Sequence, residues 1–172
     1  MAVERAGAVT MGGAPKTLVG PELRVGDRAP DFVATAGNLA PWRFLDETRG
    51  RARLLNVVPS IDTGVCNQQS RRFDQEVRDL PSVTAVTVSM DLPFAQSRWQ
   101  AEAHADHLTM VSDHVSASFG QAYGTLIKDL RLECRAVFVV DRDGVVRYAQ
   151  YVPEVTTHPD YDGALAALRA LL

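Results

Sequence analysis

The apolar positions of the first twenty residues fall into two short runs, "AVTM" and "KTLVG", on either side of "GGAP". Gly12, Gly13 and Pro15 supply turn chemistry there, so residues 1–20 read as an N-terminal β-hairpin. In "LRVGDRAPDFVAT" Pro30 breaks any helix, which leaves Phe32 to Thr35 free to run extended, and a second short run follows around Trp42 to Leu45. Both are candidate edge strands. Arg53 to Val58 is different: a compact apolar run bounded by Gly50 and Pro59, the pattern of a central strand buried on both faces.

Beyond that strand the period changes. From Val65 to Leu80, Val65, Gln69, Phe73 and Val77 recur four apart with Leu80 three further on, a mostly apolar helical stripe that Pro81 closes. "VTAVTVSM" then reads as strand, Pro93 to Ala105 as helix, "LTMVS" as strand and Ser116 to Tyr123 as a short helix. "RAVFVVD" and "VVRYAQYV" form a hairpin through Arg142, Asp143 and Gly144, because Asp-Gly tolerates positive φ. Tyr161, Leu165, Leu168 and Leu172 give a final helix from Pro159 to Leu172. The βαβα order followed by a terminal antiparallel hairpin predicts one α/β domain over residues 1–172. Its mixed sheet is flanked by helices and compatible with a thioredoxin-like arrangement.

Composition narrows the function. A chain of 172 residues with 46% hydrophobic and 23% charged residues and a net charge of -3 has no basic footprint for nucleic acid. Arg71-Arg72 reads as a solvated helix face. No run approaches the roughly 18 apolar residues that span a bilayer, and the N-terminus lacks a signal-peptide core, so a cytoplasmic protein with no membrane partner is expected. Cys66 and Cys134 are too few for a disulfide scaffold.

The stretch "PSIDTGVC" therefore asks for an explanation. The predicted strand ends at Val58, Pro59 forces a turn, Asp62 or Thr63 can cap the next helix, and Cys66 lands in its first turn. The first N–H groups of a helix lack partners and the macrodipole is positive there, which favours the thiolate, the nucleophilic form of cysteine. Thr63, one turn before Cys66, can bond the sulfur or a substrate oxygen, and Pro59 shapes the turn without a competing N–H. On these grounds Cys66 is either a nucleophile or a small buried hydrophobe behind a capping threonine.

"NVVPSIDTGVCNQQSRRF", "SMDLPFAQSRW", "FGQAYGTLI" and "RAVFVVDRDGVV" resemble the signature segments of the bacterial thiol peroxidase subfamily of peroxiredoxins. The resemblance runs through nearly the whole chain, including the hairpin and "YDGALAAL". It implies a thioredoxin-like peroxiredoxin fold and a catalytic set of Cys66, Thr63, Pro59 and Arg135, with Cys66 as the peroxidatic cysteine. It also implies hydrogen peroxide and organic hydroperoxides as substrates, thioredoxin or a low-molecular-weight thiol as reductant, and a homodimer. No cofactor or metal is called for. The chain departs from the pattern where most members carry a resolving cysteine: aligning Arg98 and Trp99 puts Gln100 there. Cys134 is the remaining candidate resolving thiol, but period-two alternation sends it to the opposite face from Arg135. An external thiol is thus expected to attack the Cys66 sulfenic acid.

Other readings are weaker. His104, His107 and His114 do not give the three or four converging ligands a metal needs. "CNQQ" lacks the second sulfur of a thiol-disulfide oxidoreductase. A peroxide sensor that uses Cys66 oxidation as a switch is the alternative function. Asn67, Gln68 and Gln69 read as helix-surface groups, unless one helps hold the loop, and Phe94 and Trp99 as aromatics suited either to a dimer interface or to core packing.

Overall fold

The computed structural model describes residues 2–172. The chain opens with β1 (Glu4–Met11) and β2 (Ala14–Val19), then lays down β3 (Val33–Thr35), β4 (Pro41–Arg43) and the single-turn α1 (Phe44–Glu47). Strand β5 (Ala52–Val57) leads into α2 (Gly64–Val77), β6 (Val83–Ser89) into α3 (Pro93–Ala103), and β7 (Leu108–Ser112) into α4 (Ser118–Tyr123). Two short strands, β8 (Leu126–Ile127) and β9 (Leu132–Glu133), precede β10 (Ala136–Val140) and β11 (Val146–Tyr151), and α5 (Tyr161–Arg169) follows.

Seven strands form the central sheet in the order β11-β10-β5-β6-β7-β3-β4, parallel across β5, β6 and β7 and antiparallel elsewhere. Both faces are covered, which is why every residue of β5 is buried. On one face Leu54, Val137 and Val139 pack with Phe73 of α2, Trp99 of α3 and Leu165 and Leu168 of α5. On the other, Leu55, Val57 and Phe138 meet Phe119 and Tyr123 of α4 and Val9 and Leu18 of the N-terminal hairpin. The result is the thioredoxin-like fold read from the sequence, with β1 and β2 as the expected hairpin.

The differences lie at element ends and in one unforeseen sheet. The hairpin does not stand alone: β2 pairs with β8 and β8 with β9, making a four-stranded sheet. Two-residue strands carry no periodicity from which they could be read. Helix α2 stops at Val77, three residues early, because Leu80 turns back to donate to the Val77 carbonyl. Helix α5 starts at Tyr161, since the Asp160 side chain caps it by accepting from the Gly163 N–H. The β10–β11 turn is as expected: Gly144 sits at φ 83°, and Asp141 accepts from the N–H groups of Asp143 and Val145. Among the described residues no helix is long and apolar enough to cross a membrane.

Candidate active site

The carboxyl end of β5 delivers the chain to the site. Val58 donates to the Val88 carbonyl, buried Pro59 turns the chain away, and Asp91 catches the loop by accepting from Ser60 Oγ (2.8 Å) and the Ile61 N–H (2.7 Å). Thr63 occupies the N-cap position of α2 with extended backbone, but its hydroxyl donates to the Ser60 carbonyl (3.2 Å) and caps nothing. Asp62 does not cap either; it pairs with Arg98 at 2.7 Å. The first turn of α2 therefore has no side-chain cap and no acidic residue, so its positive end stays uncompensated. Cys66 sits fully buried in that turn, with a free thiol.

Arg135 lies just ahead of β10 and is 2% exposed. Its Nη2 donates to Cys66 Sγ at 3.4 Å, its Nη1 to Gln69 Oε1 at 2.8 Å and its Nε to the Val155 carbonyl at 2.8 Å. Among the described residues no carboxylate is within ion-pair distance of this guanidinium. A buried cation without an anion is expensive. The group in reach that can become negative is the Cys66 sulfur.

Gln69 corrects the expectation of a surface group. It is fully buried, bonding Arg135 through its oxygen and Asn56 Oδ1 through its nitrogen (2.6 Å). Asn56 in turn donates to Ser70 Oγ and Thr87 Oγ1, both at 3.0 Å. A satisfied polar chain thus runs from the middle of the sheet to Arg135 and holds the guanidinium in place. Its sequence signal was present, since Gln69 falls within the apolar stripe of α2. Asn67 is half-buried and accepts from Trp99 Nε1 at 2.9 Å; Gln68 is the exposed one of the three.

Pro59, Thr63 and Arg135 converge on one cavity of about 260 Å³, lined also by Met11, Gly64, Val65, Val155 and Thr156. Its wall is mostly apolar; Cys66 is not one of the lining residues, but its chain neighbour Val65 and its hydrogen-bond partner Arg135 are. A larger cavity of about 500 Å³ lies between β3 and the start of α3, flanked by Leu39, Leu92, Phe94 and Val115, and holds no cysteine. Cys134 is not part of the site. It packs in the cluster of Ala136 and Phe138, on the sheet face away from α2, as alternation predicts. Burial pushes its thiol far above the ordinary cysteine range, with the Glu133 carboxylate adding to the effect. Gln100 spends its side-chain nitrogen on the Ala105 and Leu108 carbonyls, closing the end of α3. The histidines scatter: His107 faces Asp74 and His114 faces Ser112. Among the described residues no group of three or more His, Cys, Asp or Glu is placed to hold a metal ion. Trp99 is buried in the core, whereas Phe94 is 66% exposed.

A buried free cysteine at the start of the helix after a central strand, on a thioredoxin-like sheet, points to a class. The Redoxin family matches residues 24–165, and the chain belongs to that family. Within it, the chain is 50% identical to the thiol peroxidase of Halalkalibacterium halodurans, over 96% of this chain and 99% of that one. It is 47% identical to the thiol peroxidase of Bacillus subtilis, over 95% and 98%. The crystal structure of a peroxiredoxin-like protein from Aquifex aeolicus superposes with a TM-score of 0.89 at 35% identity, covering 99% of each chain.

Proposed function

We propose that the chain is a thiol-dependent peroxidase in which Cys66 is the nucleophile, Arg135 and Thr63 contact the peroxide, and Pro59 shields the sulfur from water. The observation that carries this reading is the buried Arg135, whose nearest potential anion is Cys66 Sγ at 3.4 Å. The thiolate compensates the guanidinium, and the open first turn of α2 favours the same form. Relatives that carry an enzyme's name favour turnover over a peroxide switch.

The thiolate attacks the near oxygen of the peroxide; an S–O bond forms as the O–O bond breaks. Sulfur is oxidised to a sulfenic acid, and the departing oxygen takes a proton to leave as water or alcohol. Arg135 and the first-turn N–H groups donate where negative charge develops. Because the Thr63 hydroxyl proton is used by Ser60, its oxygen is left to accept from the peroxide O–H. The mostly apolar cavity wall accommodates the alkyl part of an organic hydroperoxide as well as hydrogen peroxide.

Resolution falls to an external thiol, either thioredoxin or a low-molecular-weight thiol. Its sulfur displaces water from the sulfenic acid, and a second thiol releases the mixed disulfide. Cys134 is buried, keeps its proton and faces the other way, and Gln100 has no sulfur to offer. A reducing cytoplasm suits two free thiols. A homodimer is supported by the exposed apolar set Leu39, Leu92, Phe94 and Val115. One equivalent of peroxide without reductant should give an intact mass one oxygen heavier; a stoichiometric Cys66 to Cys134 disulfide would refute the external thiol. Cys134→Ser should keep steady turnover within about twofold of the parent.

A further inference from the structure

The N-terminal hairpin reaches the active site, and one carboxylate together with two backbone hydrogen bonds holds its tip there. Glu154 accepts from Thr10 Oγ1 (3.0 Å), the Gly12 N–H (3.2 Å) and the Gly13 N–H (2.8 Å) of the hairpin tip, and from the N–H (2.9 Å) and hydroxyl (2.7 Å) of Thr156. Thr10 also exchanges backbone bonds with Pro153 and Val155, each at 2.8 Å. The next residue on the hairpin, Met11, lines the cavity shared by Pro59, Thr63 and Arg135. The next residue after Glu154, Val155, lines it too, and its carbonyl accepts from Arg135 Nε. Gly12 and Gly13 are at φ 58° and 81°, a left-handed turn that aims both N–H groups at one carboxylate. The bonds from Thr156, then those from the hairpin, hold the Glu154 carboxyl down at about 2, so it stays an acceptor over the working pH range.

We propose that Glu154 is a positioning residue for the peroxide site and that Met11, which it fixes, is a specificity-determining residue. This rests on the peroxidase reading above. Glu154 acts in two directions. Through the hairpin it seats the Met11 side chain as one wall of the cavity, where an alkyl substituent on the peroxide would lie. Through Val155 it sets the carbonyl that orients the Arg135 fork toward Cys66. Hydrogen peroxide has no substituent to touch Met11, so the two directions separate by substrate.

The test uses the full chain, with hydrogen peroxide and cumene hydroperoxide as probes. Loss of the free Cys66 thiol is timed by quenching, counting only protein that titrates as active. In Met11→Ala and Glu154→Ala the ratio of the cumene to the hydrogen peroxide rate constant should fall about tenfold, the scale of lost apolar contacts in a pocket. Glu154→Ala should in addition slow hydrogen peroxide about tenfold, through Arg135. Loss of folded protein scales both peroxides together and leaves the ratio in place. A ratio within about twofold of the parent's in Glu154→Ala overturns the inference. If that variant does not fold, Glu154→Gln, which keeps one acceptor oxygen, is read the same way: a fallen ratio supports the inference and an unchanged one overturns it. A parent that consumes neither peroxide would overturn the peroxidase reading itself, and the hairpin inference with it, which is a distinguishable result.

Discussion

Arg135 is where stability and chemistry pull apart. Its charge is buried without a carboxylate, so Arg135→Met, of similar length and apolar, removes a costly cation while stripping the donors from the Cys66 sulfur. In this variant the second-order reaction with peroxide should fall at least about a hundredfold, roughly 3 kcal/mol, while the thermal midpoint holds or rises. Stopped-flow rates and a melting curve on one preparation check both halves. Gln69→Leu should give a smaller loss, about tenfold, because Arg135 keeps its bond to the Val155 carbonyl but loses the one that sets its tilt. That Cys66, Thr63 and Pro59 lie close together was readable from the sequence because they share one local turn. Arg135 was readable only by resemblance, since nothing in "RAVFVVD" says that its arginine crosses the fold to a cysteine 69 residues away. Gln69 was misread because a glutamine on a helix is usually a solvated group, and its burial depends on partners in two other elements.

At the scale of elements, strong patterns were legible and weak ones were not. The apolar run of β5, the stripe of α2 and the Asp-Gly turn between β10 and β11 each carry a period or a turn signal. Strands β8 and β9 carry neither; they exist because β2 offers them an edge. The Glu154 clamp was equally hidden, its hairpin donors lying 141 to 144 residues away. Strand β9 also brings Glu133 against Asp113. Burial raises both carboxyls above their ordinary range, and for Glu133 the Asp113 charge adds to it. This pair therefore binds more protons in the native state than in the unfolded chain above about pH 4, and its contribution to stability falls as pH rises from there. Glu133→Gln removes one of the two titrations and keeps an oxygen to accept from Thr125. Its urea midpoint should match the parent's near about pH 5 and exceed it near about pH 8. A midpoint difference that does not change with pH would contradict the shared burial cost.

The whole molecule is tested at two points, its assembly and its turnover. Phe94 and Val115 expose 66% and 72% of their surface beside the 500 Å³ cavity, on the flank of the loop that Asp91 ties to the active site. Phe94→Glu should weaken a dimer by at least about thirtyfold, moving the sedimentation boundary toward the monomer at micromolar concentration. Peroxide oxidation of Cys66 should survive in that variant, because Phe94 is not among the residues that line the active-site cavity. The most direct test of the account is a single turnover: the parent mixed with one equivalent of hydroperoxide and no reductant, then treated with a sulfenic-acid trap and mapped by mass. The parent should consume the peroxide in one rapid phase with the trap on Cys66, and Cys66→Ser should lose that phase by at least about a thousandfold. A rapid phase that persists in Cys66→Ser, or a trap found on Cys134, would contradict it.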